Sequence, residues 1–298
     1  MITTLTQKAE ELGFITIGFS RPEVPTHFHR FETWLSNSKH ANMAWLERNR
    51  EVRADPTRLL KGCKTVMSLA YPYPSQKVGT SDGYTVSRYA QPISEDYHAR
   101  VKRLCRELIP ILEASDRGSK SRVCVDSAPI LEKGFAYAAG IGFIGKNNML
   151  IIPGYGSYFY LAEILTTYEI AWKSIEAIDN PCGECTRCTD ACPTGALEEP
   201  FLLNAGKCLS YLTIEQKGPL NTDYGRHMGD CFFGCDRCQE ACPFNKKQGT
   251  TKVLLPSTDS LLRMDERLFQ EKFGKTALAR AGLEKIKTNI RAIKKVNQ

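Results

Sequence analysis

Within residues 182–192 the chain places four cysteines, Cys182, Cys185, Cys188 and Cys192, and Pro193 follows directly. Cys235, Cys238, Cys242 and Pro243 repeat the end of that pattern. So many thiols in so little chain leave no room for a long helix or strand; the segment must fold as turns around something the thiolates bind. The first run, C-x2-C-x2-C-x3-C-P, is the bacterial [4Fe–4S] spacing, whose fourth cysteine serves the other cluster of a pair. Three thiolates on one tight loop hold three irons of a cube, while the fourth begins a new segment and points away. Gly183 relieves crowding where backbone must run close to the cluster. A full second copy would need a cysteine at 232, but that residue is Phe232. The crossed sets are therefore Cys182, Cys185, Cys188 and Cys242 for one cluster, and Cys192, Cys235 and Cys238 for the other, completed by either Cys208 or Cys231. CxxC pairs also build zinc ribbons, but zinc needs neither a third cysteine at this spacing nor the Cys-Pro step.

The rest of the chain sets the context. At 298 residues it is long enough for one large domain or two smaller ones. No apolar run approaches the roughly 18–20 residues of a membrane span. The start, MITTLTQKAEELGF, is polar and reads as a helix rather than a secretory signal. These features imply a cytoplasmic protein, where thiols stay reduced and clustered cysteines bind metal. A disulfide framework is the poorer reading there. Cys63, Cys105 and Cys124 stand apart and read as buried structural thiols. The net charge is +7. Much of the excess gathers in residues 272–298, which carry a single Glu among many Lys and Arg. A basic end suits a nucleic-acid partner as well as an ordinary solvated surface.

Residues 1–175 read as mixed α/β. TVMSLAYPY (65–73) is a buried strand and RVCVD (122–126) a short one. EDYHARVKRLCRELIPILEAS (95–115) is one amphipathic helix, with Tyr97, Val101, Leu104, Leu108, Ile111 and Leu112 on one face. SAPILEKGFAYAAG is a second helix, with Ser127 as its cap, Pro129 in its first turn and Gly140 as its stop. NMLIIPGYGSYFYLAEILTT (148–167) reads as a hairpin about Pro153–Gly156. Strands interleaved with helices favour α/β layers over a sandwich. Composition shifts near residue 175. Residues 176–250 form the metal module, with two similar cysteine runs suggesting a duplicated unit, and residues 251–298 form a basic helical segment.

Linked motifs in order carry a resemblance over nearly the whole chain: MAWLERNREVRADPTRLLKGCKTVMSLAYPY (43–73), SRYAQPISEDYH (87–98), VDSAPILEKGFAYAAGIGFIGKN (125–147), the first cysteine run, NAGKCLSYLTIEQKG (204–218), GCDRCQEACPFNK (234–246) and FGKTALARAGLEKIKTNIRAI (273–293). With these the chain resembles the epoxyqueuosine reductase family, cobalamin-dependent iron–sulfur enzymes of tRNA modification related to reductive dehalogenases. The resemblance implies an α/β (α+β) cobalamin-binding and catalytic domain over 1–175, a ferredoxin-like module with two [4Fe–4S] clusters over 176–250, and the short helical end. It implies reduction of epoxyqueuosine to queuosine at the wobble position of tRNA, with cobalamin reduced through the clusters. Asp126 falls on the family's catalytic acid, and Cys208 on its fourth ligand for the second cluster. An epoxide oxygen leaves well only if protonated as its bond breaks, which needs a carboxylic acid of raised pKa. With Ser127 free to cap the helix, Asp126 is free for that task.

The resemblance further implies cobalamin contacts from Arg53, Arg88, Tyr89, Asp126, Lys146, Asn147, Ser210 and Asp236. Lys133 stands where the family has Arg, which keeps the charge but loses bidentate bonding. Expected partners are the anticodon stem-loop of tRNA and an electron donor such as a flavodoxin or ferredoxin system, with no membrane and a monomeric protein. The family commonly continues into a helical-repeat domain that grips tRNA, whereas this chain ends at Gln298. That departure keeps two alternatives open: a dehalogenase-like cobalamin enzyme acting on a small molecule, and a ferredoxin-like electron carrier.

Overall fold

A computed structural model describes residues 1–91, 94–173, 178, 180–218, 222–245 and 251–296. The expected boundaries at 175/176 and 250/251 fall at or beside residues outside that set. The strands in chain order are β1 Thr16–Ser20, β2 Thr65–Pro72, β3 Val78–Thr80, β4 Thr85–Val86, β5 Ser121–Cys124, β6 Phe143–Ile144, β7 Leu150–Ile151, β8 Phe159–Thr166, β9 Leu197–Glu199, β10 Leu202–Leu203, β11 Cys231–Phe233 and β12 Lys252–Leu255. Two compact units result, each from discontinuous stretches. The first is Met1–Ser38, Ala44–Pro72 and His98–Glu184; the second is Lys39–Met43, Tyr73–Tyr97 and Cys185–Gln298.

The first unit is built on an antiparallel sheet of order β1-β2-β8-β5. Six consecutive residues of β2, Thr65–Ala70, are buried, so the sheet is covered on both faces despite its antiparallel pairing. The helix Glu132–Ala138 packs on β1, β2 and β8. Phe135 joins a core cluster with Val66, Cys124, Ile130 and Leu165. Gly18 lets that layer approach, since a Cβ there would lie 2.6 Å from the Ala139 carbonyl oxygen.

Three local expectations change in the folded chain. The segment 95–115 forms two helices, Tyr97–Arg106 and Ile109–Ser115. Pro110 sits in the first turn of the second, where its missing N–H is harmless but would break a continuous helix. The helix expected from Ser127 begins only at Glu132, and its N-cap Leu131 offers no side-chain cap. Residues 125–130 instead turn tightly, with Ser127 N–H donating to the Val125 carbonyl and Ile130 N–H to that of Ala128. The hairpin about Pro153–Gly156 keeps its turn through the Ile152–Gly156 bridge. Its arms pair elsewhere: β7 with β6, and β8 with β2 and β5. Cys63, Cys105 and Cys124 are buried thiols, as expected.

In the second unit the sheet order is β11-β4-β3-β12. The outer strands β11 and β12 run parallel to β4 and β3, which are antiparallel to each other. Residues 73–97 thus belong with the cysteine module because their strands need its edges. The helix Leu283–Val296 packs on β11 and on the helix Leu209–Ile214. Its Asn289 is fully buried and donates to the carbonyls of Thr213 and Phe232, both at 2.9 Å. Among the described residues no helix is long and apolar enough to cross a membrane.

Candidate iron–sulfur module and acid loop

The two cysteine runs fold alike. Each CxxC opens a one-turn helix, Arg187–Asp190 and Arg237–Glu240, and the two helices pack together. The caps Thr186 (φ −116°, ψ 1°) and Asp236 (φ −109°, ψ 2°) have nearly the same backbone, as do Ala191 (φ −78°, ψ −6°) and Ala241 (φ −75°, ψ −14°). The repeat seen as spacing is therefore a repeat of conformation.

Burial pushes the Cys238 thiol up, and the neighbouring charges of Cys235, Cys208, Cys188 and Cys192 push it further. Cys235, held up at about 11 by burial, is in turn affected by Cys208 and Cys192. Cys192, Cys208, Cys235 and Cys238 are thus mutual neighbours, the set expected for the second cluster. Cys208 is the N-cap residue of the helix Leu209–Ile214; burial pushes its thiol up, while the amides of Tyr211 and Ser210 pull the other way. Cys231 differs. It is buried on β11, its Sγ donates to the carbonyls of Phe233 (3.4 Å) and Gly234 (3.6 Å), and burial holds it up at about 12. Among the described residues no three His, Cys, Asp or Glu groups converge on one point where a single metal ion would sit. Cys182 lies in the last stretch of the first unit, where its N–H donates to Asn180 Oδ1 at 2.9 Å. Lys146 Nζ donates to the Gly183 carbonyl beside it.

Asp126 follows β5 on the tight loop 125–130. Its φ is +52°, a left-handed conformation costly for a residue with a Cβ. Its side chain is 60% exposed, and Oδ2 lies 3.1 Å from His98 Nε2. Its N–H donates to Glu132 Oε1. Glu132 is held up at about 8 by burial and by the Asp126 charge. Behind it, Glu163 sits opposite Ser68 and Cys124 in the centre of the sheet. It is fully buried, and neither carboxyl oxygen has a hydrogen-bond partner of ordinary geometry. Burial and then the Glu132 charge push it well above the usual carboxylate range. Sequence reasoning passed over His98, Glu132 and Glu163. His98 closes the DYH triplet, but no spacing ties a residue 28 positions upstream to Asp126, and an isolated Glu in a strand carries no periodic signal.

The side chains expected to touch a corrin divide sharply. Arg53, Arg88, Asn147 and Asp236 are buried. Arg88 Nη1 pairs with Asp236 (3.0 Å) and Glu240 (2.7 Å), and its own N–H also donates to Asp236. Arg53 reaches the Ile130 carbonyl under the acid loop, and Asn147 Oδ1 accepts from Met149 N–H within its turn. Asp126 is exposed, while Tyr89, Lys146 and Ser210 are half-buried. Tyr89 stacks on Phe233 and meets Tyr97 edge-on. The chemistry of this set suits a corrin's amide rim at its accessible members only.

This is a mixed α/β protein with a paired-cluster module and an acid on a strained loop. Residues 181–245 match the family model of the 4Fe-4S double cluster binding domain, and residues 53–127 match that of Epoxyqueuosine reductase QueG, DUF1730. An epoxyqueuosine reductase of Cyclobacterium marinum is 36% identical over 304 residues, covering 96% of this chain and 94% of that protein. That of Escherichia coli is 35% identical over 79% of this chain and 63% of its own length. The fold is similar to a crystal structure of epoxyqueuosine reductase with an epoxyqueuosine-modified tRNA-Tyr stem loop: TM-score 0.83, 31% identity, 98% of this chain and 80% of that one. It is also similar to a Bacillus subtilis epoxyqueuosine reductase whose catalytic aspartate loop is swung out of the active site: TM-score 0.84, 30% identity, with the same coverage. The chain belongs to the epoxyqueuosine reductase family.

Proposed function

We propose that this protein reduces epoxyqueuosine to queuosine at the wobble position of a tRNA. The observation that carries the reading is family membership across 96% of the chain, together with an exposed aspartate on a strained loop. Removing the epoxide oxygen takes two electrons and two protons and releases water. Two [4Fe–4S] clusters, which Cys182, Cys185, Cys188 and Cys242 and then Cys192, Cys208, Cys235 and Cys238 would hold, would supply the electrons one at a time. Cobalamin is the second cofactor and would supply a low-potential electron source; Lys146, Tyr89 and Ser210 are the half-buried side chains that would contact it.

Asp126 delivers the proton to the epoxide oxygen. A carboxyl so exposed needs a bound, water-excluding partner to raise its pKa towards neutrality, so substrate and cofactor themselves switch the acid on. His98, hydrogen-bonded to the same carboxyl, orients it and is placed to return its proton. The basic C-terminal helices supply phosphate contacts to the anticodon arm, and the wobble nucleotide is turned out of its stack for reaction. The protein acts as a cytoplasmic monomer fed by a flavodoxin- or ferredoxin-type donor.

The test is anaerobic turnover of epoxyqueuosine-containing tRNA by protein reconstituted with iron, sulfide and cobalamin, with nucleosides read by mass spectrometry. Queuosine should form only with cobalamin present and should fall about 100-fold or more in Asp126→Asn. Cobalamin binding without queuosine would sink the reading.

A further inference from the structure

Among the groups that hold the acid loop are Arg53, on the Ile130 carbonyl, and the half-buried Glu132 at the start of the following helix. Residues 125–130 follow β5 without helical or strand pairing, turning twice in succession. Asp126 adopts φ +52°, which costs on the order of 1 kcal/mol and persists only when its surroundings compensate. The compensation comes from Glu132, whose Oε1 accepts the Asp126 N–H. Glu132 opens the helix Glu132–Ala138, whose Phe135 and Ala136 are buried and which packs on β1, β2 and β8. The acceptor is therefore carried on a helix packed against the sheet, while the donor belongs to a loop outside helix and strand. A carboxylate accepting a backbone N–H is a strong, charge-assisted bond, and a protonated carboxyl can still accept through its carbonyl oxygen.

We infer that Glu132 is a positioning residue: it latches the peptide N–H of Asp126, holding the acid loop in the conformation that presents the Asp126 carboxyl beside His98. The inference rests on the proposal that Asp126 is the proton donor. Glu132 touches neither substrate nor cofactor in this role; it acts through Asp126. Releasing the latch lets Asp126 relax out of the left-handed region and the loop lose its present conformation.

Four proteins test this: wild type, Glu132→Ala, Glu132→Gln and Asp126→Asn. The first readout is hydrogen–deuterium exchange of peptides covering residues 125–131, followed by mass spectrometry, in cluster-loaded protein. The second is kcat and KM for epoxyqueuosine-containing tRNA. In Glu132→Ala, exchange at the loop should rise about 10-fold or more while strands β2 and β8 stay protected, and kcat should fall roughly 10- to 100-fold with little change in KM. Glutamine keeps an amide oxygen in the acceptor's place, so Glu132→Gln should restore both loop protection and most of the lost rate. Unchanged loop exchange in Glu132→Ala would overturn the latch. So would a Glu132→Gln protein as open and slow as Glu132→Ala. Loss of protection at β2 and β8 together with the loop would also overturn it, since Glu132 would then support the whole unit rather than the loop. Full activity in Asp126→Asn would instead remove the proton-donor reading, and the exchange data would still decide whether Glu132 holds the loop.

Discussion

The fourth ligand of the second cluster is open to a direct count. The thiols of Cys208 and Cys231 are 23 positions apart, and both are near Cys235. Cys208 also neighbours Cys192 and Cys238. Burial raises both thiols; two backbone amides oppose it at Cys208 and one at Cys231, whose Sγ also donates to two carbonyls in a closed core. A carbonyl-facing thiol is held as S–H, which is the wrong form for an iron ligand. Two [4Fe–4S] clusters amount to eight irons per chain, four in each. Cys208→Ala should drop the anaerobically reconstituted protein from about eight irons to about four, because three thiolates hold a cube poorly. Cys231→Ala should keep about eight and lose only the packing of one sulfur, about 1–2 kcal/mol for a small buried cavity. Iron and sulfide quantification with electron paramagnetic resonance of the dithionite-reduced protein reads both. Iron lost from Cys231→Ala and kept by Cys208→Ala would refute the assignment and the use of thiol neighbours to make it.

Three further outcomes follow from other contacts. Arg88→Met leaves Asp236 buried with only the residue-88 N–H, and removes a partner of Glu240; breaking such a buried pair costs about 3 kcal/mol, and a urea midpoint that does not move would contradict it. Glu163 and Glu132 both keep their protons in the fold to higher pH than in the unfolded chain. The native state then binds more protons above the ordinary carboxylate pKa of about 4.3, so stability falls as pH rises from there towards 8. Glu163→Gln should flatten that fall by about 1.4 kcal/mol or more between pH 5 and 8 in chemical unfolding, and an unchanged slope would show the carboxyl ionised in the fold. Gly234→Ala forces a Cβ to 2.0 Å from Ser87 Oγ at φ +77°, directly before Cys235; it should lose about half its iron and regain some in the Ser87→Gly background.

The cysteine code was legible because ligation is local. Spacing decides which thiolates can reach one cluster, and residues 182–192 and 235–242 need little outside help to fold as turns. The folded module repeats what the two runs repeat. The buried strand at 65–72 was readable for a similar reason, since six consecutive buried residues write their environment into their composition.

Capping was the point at which local reading failed. Ser127 and Pro129 form a sound helix start by propensity, yet the chain spends residues 125–130 on turns and begins its helix at Glu132. The deciding term is an acceptor supplied from the far side of that loop. The hairpin reading failed alike: β8 finds longer partners in β2 and β5 than the two-residue β7 could offer. By itself the sequence carried the spacing of the two cysteine runs and the basic end, because each is a matter of residue type at short spacing, whereas the place of Asp126 came from the resemblance of its motif. The tertiary structure alone decided that His98 meets Asp126, that Glu132 holds its peptide, that Glu163 is fully buried beside Ser68, and that Arg88 and Asp236 are engaged with each other. Those pairings join residues brought together by packing, and burial supplies the energy that makes each of them matter.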